Sequence, residues 1–265
     1  MAVVGTNTGI CIKGLTLGYK NGSGGGRILC REAGLEVAPN TVCVLLGRNG
    51  TGKSTLLRSI ARVHTPLTGE IFIGENAVWR MTDRELSEVV SFVSTEIVNT
   101  RNLAVWDMVG LGRAPYTNWI GQLAESDSQA VARAIELVGM GGFERKSISS
   151  LSDGERQRVM IARALAQDTP VMVLDEPTAF LDVPNRYEIA LLLCSLAHKH
   201  GKTILYSTHD LEVALQLADR LCLIVDGRFS TGTPEELIQN GVIDTLFERS
   251  PLTFDPATKQ IKLTL

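Results

Sequence analysis

The sequence predicts an α/β fold built around a mostly parallel sheet. Strand-like apolar runs at residues 41–46, 171–175 and 203–207 alternate with segments of helical spacing. Buried strands that are joined through helices are typical of a parallel sheet covered on both faces. The chain has 265 residues, of which 44% are apolar and 21% charged, so it can bury a large core.

The elements can be assigned in order along the chain. Residues 10–19 alternate like a strand, residues 21–26 are a glycine-rich turn, and residues 27–37 return as a second strand, so we expect an antiparallel β subdomain at the N-terminus. Further strands are expected at 41–46, 69–74, 89–93, 171–175, 203–207 and 221–225, and helices at 56–61, from Thr82, and at 185–199 and 211–218.

The segment from about residue 96 to residue 150 differs from the rest because no strong strand interrupts its helical spacing. We interpret it as the start of an α-helical subdomain, at about 96–165, inserted into the α/β core. Residues 234–265 read as two short helices followed by a strand. We therefore expect one domain, 1–265, that includes this subdomain and a short C-terminal extension at about 234–265.

Composition excludes several classes of protein. The net charge of −3 gives no basic face, so we expect no nucleic-acid partner. The longest apolar runs are too short to span a membrane, and we expect no secretion signal. The five cysteines are odd in number and scattered, which favours buried free thiols in a reducing compartment over disulfides or a metal site.

The strongest motif lies between the strand at 41–46 and the helix that follows it. Its spacing, G-x-x-x-x-G-K-[ST], is that of a phosphate-binding loop (P-loop). Glycines let the backbone curl so that its amides face an anion, Lys53 supplies a cation for the β and γ phosphates, and Ser54 supplies a hydroxyl for Mg²⁺. The candidate nucleotide-binding residues are Gly47, Arg48, Asn49, Gly50, Thr51, Gly52, Lys53, Ser54 and Thr55.

Two further motifs point to the same chemistry. Asp175 and Glu176 end an apolar strand, where ligands bind in open α/β sheets. Asp175 would hold Mg²⁺, and Glu176 would deprotonate the attacking water. An acidic turn after a strand is the plainer interpretation. The loop of Leu151, Ser152, Asp153, Gly154 and Glu155 begins a helix; it could bind an anion, or it could be a simple capping box.

The order of these motifs, followed by Asp182 and then by Ser207-Thr208-His209-Asp210, resembles the ATP-binding-cassette (ABC) ATPases over roughly residues 10–245. The resemblance implies ATP and Mg²⁺ as cofactors, and a homodimer with two nucleotides at its interface. Residues 151–155 would be the signature loop, acting on the nucleotide of the second copy. Asp182 would communicate across the dimer, and His209 would contact the γ phosphate.

The resemblance also assigns Tyr19 to stack on adenine, although a packing role is the alternative. One position departs from the family pattern, because the usual glutamine between the core and the helical subdomain is absent. Thr95 stands at that position. Either Thr95 or Glu96 could offer an oxygen to Mg²⁺, or either could be a plain loop residue.

The segment Leu-Gly-Arg-Ala-Pro-Tyr at 111–116 resembles the ATPases of importers for iron-siderophores, haem and cobalamin. That implies a cytoplasmic subunit, peripheral on the inner face of the membrane, that drives a separate polytopic permease and serves a substrate-binding protein indirectly. The alternatives are a non-transport ABC ATPase, for example in cofactor assembly, and a nucleotide-binding protein that does not turn over. The sequence does not name the cargo or the permease.

Overall fold

The structure is a computed structural model that describes residues 8–20, 26–95, 103–117, 122–248 and 250–263. Its strands are β1 (Ile10–Lys20), β2 (Gly26–Val37), β3 (Val42–Gly47), β4 (Thr68–Ile73), β5 (Asn76–Ala77), β6 (Val90–Val93), β7 (Val171–Leu174), β8 (Thr203–Ser207), β9 (Arg220–Val225), β10 (Arg228–Gly232), β11 (Leu252–Asp255) and β12 (Gln260–Leu263). Its α-helices are α1 (Lys53–Ile60), α2 (Asp83–Val89), α3 (Val105–Gly110), α4 (Glu125–Leu137), α5 (Asp153–Ala166), α6 (Val183–His200), α7 (Leu211–Leu217) and α8 (Pro234–Gln239).

The central sheet has six strands in the order β10-β9-β3-β8-β7-β6. The five strands from β9 to β6 pair in parallel with their neighbours, and only β10 runs antiparallel, on β9. The sequence therefore predicted the fold class correctly. The carboxyl ends of β3, β7 and β8 lie side by side, so the segments that follow these strands meet at one edge of the sheet.

Two apolar cores lie on opposite faces of this sheet. Alternate residues of β3 divide between them, with Val44 on one face and Leu45 on the other. The first core joins the sheet to α3, α4, α5, α6 and α7. The second joins it to α1 and to a four-stranded antiparallel sheet of order β2-β1-β4-β5. Helix α1, and with it the phosphate loop, is thus held between two sheets.

Helices α3, α4 and α5 pack together around buried residues such as Met108, Val131 and Ile161. The segment Leu111–Tyr116, a 3-10 helix, braces this group. Arg113 forms an ion pair with Asp127 of α4, 2.8 Å between Nη2 and Oδ1, and donates from Nη1 to the Ala166 carbonyl at the end of α5, at 2.8 Å. The motif that resembled importer ATPases therefore acts in this fold as a clamp between helices.

Several details differ from the prediction. Strands β5, β10 and β11 were not predicted, because β5 has only two residues and the other two are short and partly polar. The expected second helix of the C-terminal extension is a 3-10 turn, Ile243–Phe247, and β11 and β12 form a hairpin. No helix within the described ranges is long and apolar enough to cross a membrane.

Candidate nucleotide-binding site

The phosphate loop leaves β3 at the carboxyl edge of the sheet and enters α1. Gly47, Gly50 and Gly52 have φ values of 155°, 81° and 112°, which side chains rarely allow. A Cβ on Gly47 would lie 2.6 Å from the carbonyl oxygen of Ile224. Glycine is therefore required at Gly47 by close packing as well as by conformation, and the loop keeps the backbone curvature that suits a polyphosphate.

Lys53 is 95% buried and turns back into the loop. Its Nζ donates to the Gly47 carbonyl at 2.8 Å and lies 3.3 Å from Oε1 of Glu176. A buried ammonium group needs such partners because desolvation is costly. The structure thus brings the predicted phosphate-binding cation and the predicted catalytic base into contact.

Ser54 and Asp175 also meet. The Ser54 hydroxyl donates to Oδ1 of Asp175 at 2.9 Å, and the same oxygen accepts from the Ser207 hydroxyl, also at 2.9 Å. Asp175 is only 1% exposed. Among the described residues, its Oδ2 is one of two buried side-chain polar atoms without a hydrogen-bond partner, the other being the Tyr206 hydroxyl. An unpaired buried carboxylate oxygen is costly unless another group completes it.

This donor set fits Mg²⁺. The ion prefers oxygen ligands and usually takes one or two from the protein, filling the other positions with water and substrate phosphates. Ser54 and the free oxygen of Asp175 would be the protein's contribution. Consistently, the described part of the chain holds no cluster of three or more His, Cys, Asp or Glu side chains that could bind a metal by themselves.

Besides Lys53, two groups hold Glu176 in place. Its amide donates to the Ser207 hydroxyl at 2.9 Å, and its Oε2 lies 2.9 Å from Nδ1 of His209. Because an ionised carboxylate only accepts hydrogen bonds, Nδ1 carries the proton in this pair. The backbone of Glu176 has a φ of 48°, a conformation that persists only where its surroundings hold it. A carboxylate held by such a donor is placed to accept a proton from water.

Ser207 was assigned no role of its own within the sequence motif at 207–210, although it bonds to both acidic residues. It is the last residue of β8 and fully buried, with a hydroxyl that donates to Asp175 and accepts from Glu176. A serine at the carboxyl end of an apolar strand, immediately before Thr208-His209, was a usable signal. It was overlooked because it reads equally well as the end of the strand.

Tyr19 lies in β1 with 49% of its surface exposed. Its hydroxyl is 3.0 Å from the hydroxyl of Thr55, and its ring meets that of His64 edge-on, with 5.0 Å between ring centroids. His64 is half-buried, and its Nε2 lies 3.1 Å from the Gly18 carbonyl. The tyrosine ring is thus held beside the phosphate loop while half of it stays accessible.

The polar side chains of the signature loop form hydrogen bonds and ion pairs with residues close by in the sequence. Ser152 caps α5 and forms a reciprocal capping box with Glu155, and Asp153 pairs with Arg156 at 2.8 Å. The Ser152 amide bonds to Glu155 and lowers the pKa of that carboxyl. Ser152 and Asp153 are exposed, whereas Leu151 and Gly154 are buried. Each of these bonds joins residues at most three apart, and none of them reaches the phosphate loop.

Asp182 is exposed at the start of α6, where its carboxylate accepts from the amide of Asn185 at 3.1 Å and from the side chain of Asn185 at 2.6 Å. Asn185 also packs on the signature loop, because a Cβ on Gly154 would lie 3.0 Å from its Oδ1. The two segments predicted to face a second copy are therefore neighbours in one chain.

Thr95 is exposed, two residues beyond β6. It lines a cavity of about 280 Å³ together with Glu176 and with Asp153 and Gln157 of the signature helix. Glu96, the other candidate for the absent glutamine, lies outside the described residues. Thr95, at the predicted junction between the core and the helical subdomain, therefore lines the same cavity as Glu176, the predicted catalytic base.

Comparison with known proteins identifies the family of this chain. The model of the ABC transporter family matches residues 30–179, more than half of the chain. A petrobactin import ATP-binding protein of Bacillus anthracis is 36% identical over 236 residues, covering 89% of this chain and 85% of the relative. A probable siderophore transport system ATP-binding protein of Bacillus subtilis is 34% identical over 258 residues, covering 97% and 90%.

A solved structure extends the comparison. An ATP-binding cassette in a dimeric post-hydrolysis state, bound to ADP and phosphate, superposes with a TM-score of 0.73 at 26% identity, covering 85% of this chain and 98% of that one. The fold, the motif order and these relatives lead to one conclusion. This chain belongs to the ABC transporter family, is similar to the ATP-binding subunits of siderophore importers, and is an ATPase.

Proposed function

We propose that this chain is the energy-coupling subunit of an importer, and that two copies bind two Mg-ATP and drive a separate membrane permease. The single observation that carries the enzymatic part is the contact of Lys53, Glu176 and His209 at the mouth of the phosphate loop. These groups come from three separate segments and serve no obvious packing purpose, since an ion-paired buried cluster contributes little to stability.

The proposed binding step uses the phosphate loop. The amides of residues 47–55 and the N-terminus of α1 would face the β and γ phosphates, and Lys53 would exchange its bond to the Gly47 carbonyl for phosphate oxygens. Tyr19 would stack on the base. Mg²⁺, when bound, supplies charge neutralisation, with Ser54 and Asp175 as its protein ligands.

The proposed hydrolytic step uses the pair of Glu176 and His209. Glu176 accepts a proton from the water that attacks the γ phosphate, and Nδ1–H of His209 holds the carboxylate in place. Ser207 keeps Glu176 and Asp175 at a fixed separation, because it bonds to both. Phosphoryl transfer depends mainly on positioning and charge neutralisation, so few further groups are required.

The dimer would complete each site. The exposed Ser152 of one copy would reach the nucleotide held by the other, and Asp182 would report on that contact. The dimeric cassette described above supports this arrangement. In this proposal a single domain carries both the phosphate loop and the signature loop. That domain includes the helical subdomain at about 96–165 and the C-terminal extension at about 234–265. Residue 95 or residue 96 would contribute at the junction between core and subdomain.

The test of the enzymatic proposal is Glu176→Gln in the purified full-length chain. We expect Mg-ATP hydrolysis to fall at least about a hundredfold while nucleotide affinity stays within about threefold. The variant should also accumulate as an ATP-bound dimer, measured by light scattering. The matched control is Glu188→Gln, an exposed glutamate of α6, which should hydrolyse ATP like the wild type. Unchanged turnover in Glu176→Gln would refute the assignment of the base.

The cargo that we propose is an iron-siderophore. The observation that favours it is that the two relatives named above are described as acting in petrobactin import and siderophore transport. Haem and cobalamin remain as the second choice, on the resemblance at 111–116. The subunit would then lie on the cytoplasmic face of the membrane, held there by a permease, and a substrate-binding protein would deliver the cargo.

Uptake of ⁵⁵Fe-siderophore by cells that express the wild type or Glu176→Gln tests this cargo. We expect uptake only with the wild type, and no difference between the two strains for labelled cobalamin. Equal siderophore uptake would contradict the cargo proposed. A non-transport ABC ATPase is the alternative; it would hydrolyse ATP but would not copurify with a polytopic membrane protein.

A further inference from the structure

Two loops carry the groups that act on the phosphate in the proposed function. The Asp175 loop, residues 175–182, lies between β7 and α6 and ends in the residue predicted to face the second copy. The His209 loop, residues 208–210, lies between β8 and α7. A mechanism that links dimer formation to hydrolysis needs a physical connection between these loops.

Arg186, in the first turn of α6, contacts both loops with one guanidinium group. Its Nε donates to the carbonyl of Leu181 at 2.8 Å, and its Nη1 lies 3.4 Å from Oδ2 of Asp210. The two side chains of this ion pair are largely enclosed, at 32% and 17% exposure. The planar fork of arginine can make both contacts at once, which the single ammonium of a lysine cannot reproduce.

Asp210 is itself fixed to the neighbours of His209. Its Oδ1 accepts from the Val213 amide at 3.2 Å and so caps α7, and its amide donates to the hydroxyl of Thr208 at 3.1 Å. His209 therefore lies between two anchored residues, and its own side chain reaches Glu176. A shift of Asp210 would move the imidazole relative to the carboxylate.

The other contact of Arg186 holds the Asp175 loop where its backbone is strained. Phe180 has a φ of 65°, and Glu176 has a φ of 48°. Such conformations cost energy and persist only when contacts maintain them. The Leu181 carbonyl that Arg186 binds lies between Phe180 and Asp182, at the end of the loop that is exposed to a second copy.

We propose that Arg186 is a positioning residue that couples the Asp182 end of the Asp175 loop to His209. Through this residue, a displacement of Asp182 on dimer formation changes the alignment of His209 with Glu176. The inference rests on the proposed function and adds to it a residue that sets the rate of hydrolysis without touching the nucleotide.

The experiment measures kcat and KM for Mg-ATP in Arg186→Met, Asp210→Asn, the double variant and Arg186→Lys. Asparagine can retain the cap of α7 through Oδ1, so Asp210→Asn removes the charge and the oxygen that faces Arg186 without removing the cap. We expect Arg186→Met to lower kcat about tenfold with KM within twofold, because a misaligned pair binds ATP normally but reacts slowly. The double variant should be no slower than Arg186→Met, and lysine should not restore the rate.

A matched ion pair between α5 and α6 is the control. Arg158 donates to the Val138 carbonyl at 3.1 Å and to Glu188 at 2.7 Å, so it also joins one carbonyl to one carboxylate, but away from both loops. Arg158→Met and Glu188→Gln should leave kcat within twofold of the wild type.

The outcomes separate the two proposals. If the wild type is active, three results would overturn the inference but not the proposed function. Arg186→Met could keep the wild-type kcat, raise KM instead of lowering kcat, or lose no more kcat than Arg158→Met does. The same holds if the effects of Arg186→Met and Asp210→Asn simply add, since independent sites are additive and coupled ones are not. A wild type that does not hydrolyse Mg-ATP would overturn the proposed function, and the inference with it.

Discussion

The phosphate loop and the signature loop both begin a helix, yet they satisfy their polar groups in opposite ways. Around the phosphate loop the bonds join distant parts of the chain, such as Lys53 to Glu176 and Ser54 to Asp175, and they are largely buried. In the signature loop, Ser152 and Glu155 bond to each other, three residues apart, at the surface. Folding one chain assembles the first region completely but leaves the second facing outward.

This difference shows why a local pattern can mislead. The reciprocal capping box of Ser152 and Glu155 recurs at Thr82 with Glu85 and at Thr233 with Glu236. In hydrogen bonding these three helix starts are alike, so capping alone does not distinguish a signature loop from an ordinary helix start. What sets Ser152 apart is its place in the order of motifs. Substitutions in both regions test this difference.

The largest effect is expected on the phosphate-loop side. Lys53→Ala should weaken ATP binding by about a hundredfold, because it removes a charged contact to phosphate and leaves Glu176 without its cation. Titration with a fluorescent ATP analogue measures the affinity. The control is Lys202→Ala, which removes a lysine bonded to Asp168 and to the Thr169 carbonyl, far along the chain from the phosphate loop. Equal affinity in the two variants would contradict the role of Lys53.

An intermediate effect is expected on the signature side. Ser152→Ala should lower kcat about tenfold while a monomer binds ATP as tightly as before, because its hydroxyl would act on the nucleotide of the other copy. Thr82→Ala is the matched control, since it removes the same kind of cap from α2. Both variants should lose about 1 kcal/mol of stability, but only Ser152→Ala should lose activity. Parallel losses of activity would mean that Ser152 is a cap and nothing more.

The smallest effect is expected from the acidic partners of these caps. Backbone hydrogen bonds lower the pKa of Glu155 and of Glu85 below their ordinary value of 4.5. A lowered pKa in the folded state stabilises the protein above the unfolded pKa, and this contribution is lost as pH falls through the folded pKa. The difference in Tm between the wild type and Glu155→Gln should therefore be present at pH 7 and should shrink below about pH 4.5.

Glu85→Gln should behave in the same way in that measurement, because its capping box is the same. A Glu155→Gln difference that grew as the pH fell would show that the carboxyl is not held in its ionised form. Thermal unfolding followed by circular dichroism from pH 7 to pH 3.5 suffices for both variants.

The sequence predicted most of the fold because buried strands such as β3 and β7 are continuous apolar runs with helices between them. It predicted that Lys53, Asp175 and Glu176 would meet, because strand ends converge at one sheet edge. It named Ser207 only as part of a motif and did not point to Arg186, because the roles of both depend on bonds to residues 24–32 positions away. Strand β5 was not predicted because it is defined only by its pairing with β4 and has no sequence pattern of its own.

Gly112 gives the segment at 111–116 a mechanical consequence. A Cβ there would lie 2.1 Å from the carbonyl oxygen of Arg163, so the 3-10 helix and α5 touch backbone to backbone, and Arg113 fastens the same end of α5. Helix α5 has 14 residues and is about 21 Å long. A displacement of the segment 111–116 would move α5 as a rigid body. Ser152, at the opposite end of that helix, would move with it.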